Sequence, residues 1–242
     1  KNVDGVGLLR AEFIMAQLGE HPRAVLEARR EKEYVLKLAS EISKVAKAFS
    51  PRPVVYRASD FRTNEYHNLK GGAKFEPHEE NPMLGFRGAL RYVSDPEVFQ
   101  MELKAILHVR NKLKLHNLWL MIPFVRTVSE FREVKKIIAA SGLKHGGSFK
   151  IWLMVEIPAN VILLDEFINE GIDGISIGSN DLTMLTLGVD RDNSRLSMYT
   201  EEDEAMAEFF ESAIKTSKRL GVTSSMCCEA PSVYPNLLKK LI

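Results

Sequence analysis

Ile151-Trp152-Leu153-Met154-Val155 is an unbroken apolar run closed by a carboxylate, Glu156. A strand with one wet face would alternate. A continuous run of this length suits a strand buried on both faces, as in a parallel sheet covered by helices. The quoted run lies in a strand candidate over Phe149–Ile157, and further candidates lie at Gly5–Arg10, Pro53–Arg57, Leu118–Val125, Gly174–Ile177 and Val222–Met226. Between them run longer amphipathic stretches expected as helices: Ala24–Phe49, Pro96–Leu115, Val128–Ser141, Val161–Glu170 and Glu202–Leu220. Asp95-Pro96 offers a capping carboxylate before a proline suited to a first turn, and Thr127 to Glu130 fits a capping box. Such regular βα alternation is the pattern of a doubly wound sheet or a (β/α)₈ TIM barrel.

Six strands are visible where a barrel needs eight. The expectation is therefore one domain over residues 1–242, an incomplete excerpt lacking terminal βα units, with no linker or repeat. Hydrophobic residues make up 45% and charged residues 27% of the 242, the balance of a globular protein. A net charge of +1 gives no footprint for nucleic acid or an acidic membrane. No apolar run approaches the roughly 18 residues of a membrane span. The two cysteines, Cys227 and Cys228, are adjacent, so a disulfide framework is not expected and a reducing, cytoplasmic location is.

One segment breaks the rhythm. Ala58 to Ser94 is long, rich in Gly, Asn, Glu and Lys, and contains the tight cluster Asn81-Pro82-Met83-Leu84-Gly85-Phe86-Arg87-Gly88. Loops of this length in compact domains are functional or disordered, and the aromatic content favours an ordered, functional one.

In parallel α/β folds ligands bind beyond the carboxyl ends of the strands. Those ends carry Arg10 with Glu12, Arg57 with Asp60, Arg126, Glu156, Ser179-Asn180-Asp181, and Cys227 with Glu229. Carboxylates, guanidiniums and a thiol on one face describe a site for an anionic substrate and a metal. Glu156 and Asp181 offer the two carboxylates that Mg²⁺ accepts beside water and substrate oxygens. The plainer alternative pairs Glu156 with an arginine and uses Asp181 as a helix cap. Gly178-Ser179-Asn180 is a turn whose N–H groups suit a phosphate. Arg10, Arg57 and Arg87 suit bidentate recognition of carboxylate and phosphate, although single arginines at strand ends are commonly ion pairs. Arg87, delivered by the long loop, is expected to matter for turnover and little for stability. Cys227 reads equally as a small buried residue. The six histidines show no ligand spacing, and all but His67 read as surface residues. No nucleotide-binding glycine loop is present.

At these same residues the chain resembles the carboxy-terminal PEP/pyruvate-binding domain of phosphoenolpyruvate synthase (pyruvate, water dikinase), one of the PEP-utilising enzymes. The matching stretches are Gly5–Phe13, Arg57–Phe61 with Asn64–Tyr66, Glu80–Gly88, Met121–Arg126, Met154–Pro158, Ile177–Thr183 and Ala230–Ser232, in order along nearly the whole chain. The resemblance implies a PEP/pyruvate-type TIM barrel. Arg10, Arg57 and Arg87 would bind phosphoryl and carboxylate groups, and Gly178, Ser179, Asn180 and Asp181 would contact substrate. Glu156 and Asp181 would ligate Mg²⁺, and Cys227 would exchange a proton with the methyl carbon of pyruvate. It further implies phosphohistidine and ATP-binding domains on the same polypeptide, absent from this stretch, and a homo-oligomer through the barrel. Two positions depart from the family: Cys228 replaces a usual glycine and Met184 a usual glutamine. Two rival readings are a citrate-lyase-type aldolase, which shares the carboxylates but not the arginines or Cys227, and a non-catalytic oligomerisation module.

Overall fold

Val54-Val55-Tyr56 is buried on both sides, and it takes the centre of three parallel strands. The computed structural model describes residues 3–190 and 192–227. Cys228, Glu229 and Ala230-Pro231-Ser232 lie outside the described residues. The chain forms two units, one running through Pro123 and taking in Ser129–Ile151, the other made of Phe124–Val128 and the residues from Trp152 on.

The first unit runs β1 (Val6–Arg10), α1 (Ala11–Leu18), α2 (Pro22–Glu27), α3 (Glu31–Phe49), β2 (Val54–Arg57), α4 (Thr63–His67), α5 (Ala89–Ser94), α6 (Pro96–Leu107), β3 (Leu118–Ile122) and α7 (Val128–Ala140). Arg10 stands opposite Arg57, and Arg57 opposite Met121, so the carboxyl ends of the three strands are level. Leu38, Ile42, Leu103 and Ile106 cover the strands from α3 and α6, with Tyr56, Leu118 and Leu120 beneath, all fully buried.

The second unit runs β4 (Ile151–Val155), α8 (Pro158–Ile162), α9 (Leu164–Asn169), β5 (Gly174–Ile177), α10 (Ser179–Leu187), α11 (Glu204–Arg219) and β6 (Thr223–Met226). Every residue of β4 and β5 is buried, as the unbroken apolar runs predict. Phe167 and Phe210 are buried to 0% and 1% exposure, each contributing about 2–3 kcal/mol. Strands followed by helices, all parallel and in chain order within each unit, are the arrangement expected of an incomplete (β/α)₈ barrel.

Several boundaries differ from the sequence reading. The expected helix over Ala24–Phe49 is broken at Arg29, whose φ of 54° lies in the left-handed region, and Arg30 beyond it pairs with Glu20. The stretch expected to run to Leu115 widens into a π-turn at His108–Lys112. There Arg110 turns inward to donate to the carbonyls of His116 and Leu118 and to Ser148 Oγ. The stretch Val161–Glu170 is two helices, α8 and α9, meeting at Leu163. Asp95 occupies the N-cap position of α6, but its carboxylate makes no capping bond and goes to Arg23 instead.

The long segment between β2 and α6 is ordered by its own side chains. Glu79 accepts from the Phe86 N–H at 2.9 Å and the Thr63 hydroxyl at 2.8 Å, closing the loop on itself. Glu76 receives the Arg91 guanidinium at 2.9 and 2.7 Å and the His21 ring at 2.9 Å. The histidine reading holds at His78, His116 and His145, which are exposed, and fails at two positions: His21 is buried inside this cluster, stacked on Phe75, and His67 is exposed. Burial pushes the Glu76 carboxyl up, yet the hydrogen bonds from His21 and Arg91 outweigh it and hold the group below its ordinary value.

Candidate active site

The site residues fall into two constellations, one in each unit. In the first, β1 and β2 deliver Arg10 and Arg57 side by side at their carboxyl ends. Arg10 is exposed, its guanidinium 5.8 Å from the centre of the Phe13 ring, itself 66% exposed. Arg57 donates to Glu12 at 3.0 Å. Glu12 also accepts from the backbone N–H of Asp60 at 2.5 Å, so one carboxylate from α1 ties both ends of the Arg57–Asp60 turn. Burial pushes the Glu12 carboxyl up against the opposing pull of Arg57.

Arg87 is 3% exposed and meets Asp60 in a two-pronged pair, Nε to Oδ1 at 3.0 Å and Nη2 to Oδ2 at 2.6 Å. Its Nη1 also donates to the Met83 carbonyl at 3.2 Å. The Asn81–Gly88 cluster therefore delivers its arginine into the fold. The sequence anticipated the residue but not the buried carboxylate that receives it. A planar guanidinium paired this way has one orientation, which is what recognition of an anion requires.

In the second constellation the row Val155–Ile177–Met226 ends three strands level, so the next residues, Glu156, Gly178 and Cys227, sit side by side. Glu156 is 2% exposed. Its Oε1 accepts from the Phe124 N–H at 2.7 Å. Phe124 holds a φ of 46°, a costly conformation for a bulky residue, and that conformation aims its N–H at the carboxylate. Asn160, fully buried on α8, accepts from the N–H groups of Glu156 and Ile157 at 3.2 and 3.0 Å and donates to the Val125 carbonyl at 2.7 Å. The turn bearing Glu156 is thus fastened to the Phe124–Val125 loop.

Gly178 is required here by crowding. A Cβ on it would lie 2.8 Å from Glu156 Oε2 and 2.9 Å from Glu156 Cβ. Ser179, Asn180 and Asp181 are not a free turn, as the sequence suggests, but the first residues of α10. Their N–H groups are among those a helix leaves without intrahelical partners, at the end where the dipole favours negative charge. Ser179 is fully buried and donates to Glu201 at 3.1 Å. Asn180 is exposed. Asp181 is 6% exposed, and one of its carboxylate oxygens lies within 4.8 Å of one from Glu156. Two buried carboxylates at this spacing can share one hard divalent cation, and their oxygen donors fit Mg²⁺.

Cys227 is half-buried, its N–H bonded to the Ile177 carbonyl at 2.9 Å. Met184, the departure from glutamine, is 6% exposed and lines a cavity of about 120 Å³ with Asn180, Tyr199 and Glu201. Sequence reasoning missed three residues: Phe124 and Asn160, and Glu102 on α6, whose carboxylate accepts from the Ser59 N–H and hydroxyl. The signal for Asn160 was a lone amide in Pro158-Ala159-Asn160-Val161. For Glu102 it was a carboxylate on the same helical face as Phe99 and Ile106.

Residues 1–242 match the family described as PEP-utilising enzyme, PEP-binding domain. The chain is 46% identical over 245 residues to "Probable phosphoenolpyruvate synthase" of Staphylothermus marinus and 46% over 246 to the phosphoenolpyruvate synthase of Aeropyrum pernix. These alignments cover 99% of this chain and 29% and 30% of those proteins. The Escherichia coli phosphoenolpyruvate synthase is 43% identical over 253 residues, 95% of this chain and 32% of that one. The chain therefore spans about a third of the length of the relatives it matches. Among solved structures, an HpcH/HpaI aldolase/citrate lyase family protein of Burkholderia cenocepacia is similar at a TM-score of 0.49 and 12% identity, over 85% of this chain and 70% of that one. With its full length matched and these relatives beside it, the chain belongs to the PEP-utilising enzyme family, as its PEP-binding domain.

Proposed function

We propose that this chain is the pyruvate-accepting domain of a phosphoenolpyruvate synthase, and that Glu156 and Asp181 hold its Mg²⁺. The observation that carries the reading is the buried carboxylate pair within 4.8 Å, one member crowded into place by Gly178 and the other in the first turn of α10. Bound there, Mg²⁺ would polarise the carboxylate and keto oxygens of pyruvate and make its methyl protons acidic.

The residues of this chain do the rest. Cys227, as thiolate, takes a proton from the methyl carbon. The electron pair left behind makes the keto oxygen the nucleophile. It attacks the phosphorus of a phosphohistidine, the P–N bond breaks, and the imidazole departs. Arg10, Arg57 and Arg87 neutralise charge on the phosphoryl group in transfer, the last two already oriented by Glu12 and Asp60. The α10 N-terminus, with Ser179 and Asn180, favours the same anionic substrate. The phosphohistidine and ATP-binding parts belong, in this reading, to the remainder of a longer polypeptide that converts ATP, pyruvate and water to AMP, PEP and phosphate. A cytoplasmic setting suits it, since a catalytic thiol must stay reduced.

Exchange of pyruvate methyl protons with solvent tests the assignment in the full-length chain. Cys227→Ala should slow exchange by at least about 100-fold, while ATP still phosphorylates the histidine. Exchange at the normal rate in that variant rules out Cys227 as the base. Loss of exchange in Cys228→Gly alone would assign the neighbouring cysteine instead.

A further inference from the structure

Ser59, between Arg57 and Asp60, is held by groups that have no part in the chemistry proposed above. Its N–H donates to Glu102 Oε1 at 3.1 Å and its hydroxyl to Glu102 Oε2 at 2.8 Å. The same Oε1 accepts the Tyr56 hydroxyl at 2.7 Å. The Ser59 carbonyl accepts the Tyr92 hydroxyl at 2.6 Å. Glu102 is 1% exposed, rising from α6 among Met101, Leu103 and Ile106. We infer that Glu102 is a positioning residue for phosphoryl transfer, fixing the Arg57–Asp60 turn and, through Asp60, the place of Arg87. The inference rests on the role given above to Arg57 and Arg87.

At the middle of the turn the hold comes from Glu102 and the Tyr92 hydroxyl. Consecutive N–H groups in the turn are each taken by a different element: Ala58 by the Met121 carbonyl, Ser59 by Glu102, Asp60 by Glu12. Behind Ser59 lies a cavity of about 240 Å³, lined on this side by Ser59, Tyr92, Phe99 and Glu102. Ser59 therefore borders a cavity on this side, and hydrogen bonds hold it in place there. Removing them lets it relax toward the cavity, and displacements of about 1 Å at a positioned group can cost about 100-fold in rate.

The ionised form is the one the turn needs. A carboxylate receives the Tyr56, Ser59 N–H and Ser59 hydroxyl donors together, whereas a protonated acid brings its own donor among them. Burial raises the Glu102 carboxyl to about 7, against the lowering effect of these bonds. Glu12 from α1, Tyr34 from α3, Tyr66 from α4 and Tyr92 from α5 also act on it or are acted on by it. Across the cavity the charges are mutually paired, Arg91 and His21 on Glu76 and Arg23 on Asp95.

Glu102→Gln in the full-length chain keeps the size but puts an amide N–H₂ among the donors. Its kcat for PEP formation should fall about tenfold with KM for pyruvate within about twofold. Wild-type kcat should rise as pH passes through about 7, and that rise should be absent from the profile of the variant. Should the variant fail to fold, Ser59→Ala serves in its place, and its kcat should fall several-fold at unchanged KM. Wild-type kcat and an intact pH limb in Glu102→Gln, or wild-type kcat in Ser59→Ala, would overturn the inference. Arg57→Leu separates the two levels. If it retains activity, the phosphoryl-binding reading fails. If it is inactive while Glu102→Gln is fully active, only the positioning role fails.

Discussion

Arg87 in the first unit and Glu156 in the second are both buried charges, and different groups hold them. Arg87 is oriented by a charge of the other sign, Asp60, with a two-pronged pair. Glu156 is oriented by backbone: the Phe124 N–H, the Asn160 amide acting on its own N–H, and the close approach of Gly178. The difference follows from the ligand each would meet. A guanidinium has five N–H donors, so Arg87 can hold Asp60 with two of them and still donate to the Met83 carbonyl. Backbone donors fix a carboxylate while leaving its negative charge in place.

The largest expected effect tests the first half of that contrast. Arg87→Met leaves Asp60 buried without its guanidinium, a loss of about 3–5 kcal/mol, or roughly 10 °C in thermal midpoint. Adding Asp60→Asn should restore at least half of it, as coupled partners do. This reverses the expectation from sequence that Arg87 matters for turnover alone. An unchanged midpoint in Arg87→Met would return the residue to that reading.

The second unit should respond in metal affinity and hardly in stability. Asp181→Asn should weaken Mg²⁺ binding about 100-fold by calorimetry, and Gly178→Ala about tenfold by displacing Glu156. If Gly178→Ala binds the ion normally, the crowding of Glu156 has no functional meaning.

A smaller effect is the pH dependence of stability contributed by Glu102. Its folded value is raised to about 7 from an ordinary 4.5. Between these values the folded chain holds a proton that the unfolded chain has released, so stability falls as pH rises through the window and levels off above it. Relative to Glu102→Gln, the wild type should lose about 1–3 kcal/mol between those limits. Equal pH profiles of thermal midpoint for the two proteins would show that Glu102 titrates normally. The smallest change expected is Met184→Gln, which adds an amide beside a cavity already lined by Asn180 and Glu201. The midpoint should move by no more than about 1 kcal/mol equivalent.

The sequence by itself determined the strands and the residues at their ends. Apolar runs such as Ile151–Val155 demand burial on both faces whatever surrounds them, and their ends are marked where a charge or glycine interrupts the run. Arg10, Arg57 and Glu156 were legible for that reason, as position along a strand is a local property, whereas Cys227 follows Thr223-Ser224-Ser225-Met226, a strand that is not buried. Helix breaks at Arg29 and Leu163 were not legible, because side chains that favour a helix were overruled by contacts elsewhere in the fold. Partnerships were decided only in three dimensions. Asp60 with Arg87 spans 27 residues, Glu102 with Ser59 spans 43 and His21 with Glu76 spans 55. Nothing in a one-dimensional pattern distinguishes a buried carboxylate that holds a turn from an exposed one on a helix. Burial decides which charges need a partner, and burial is a property of the packed chain.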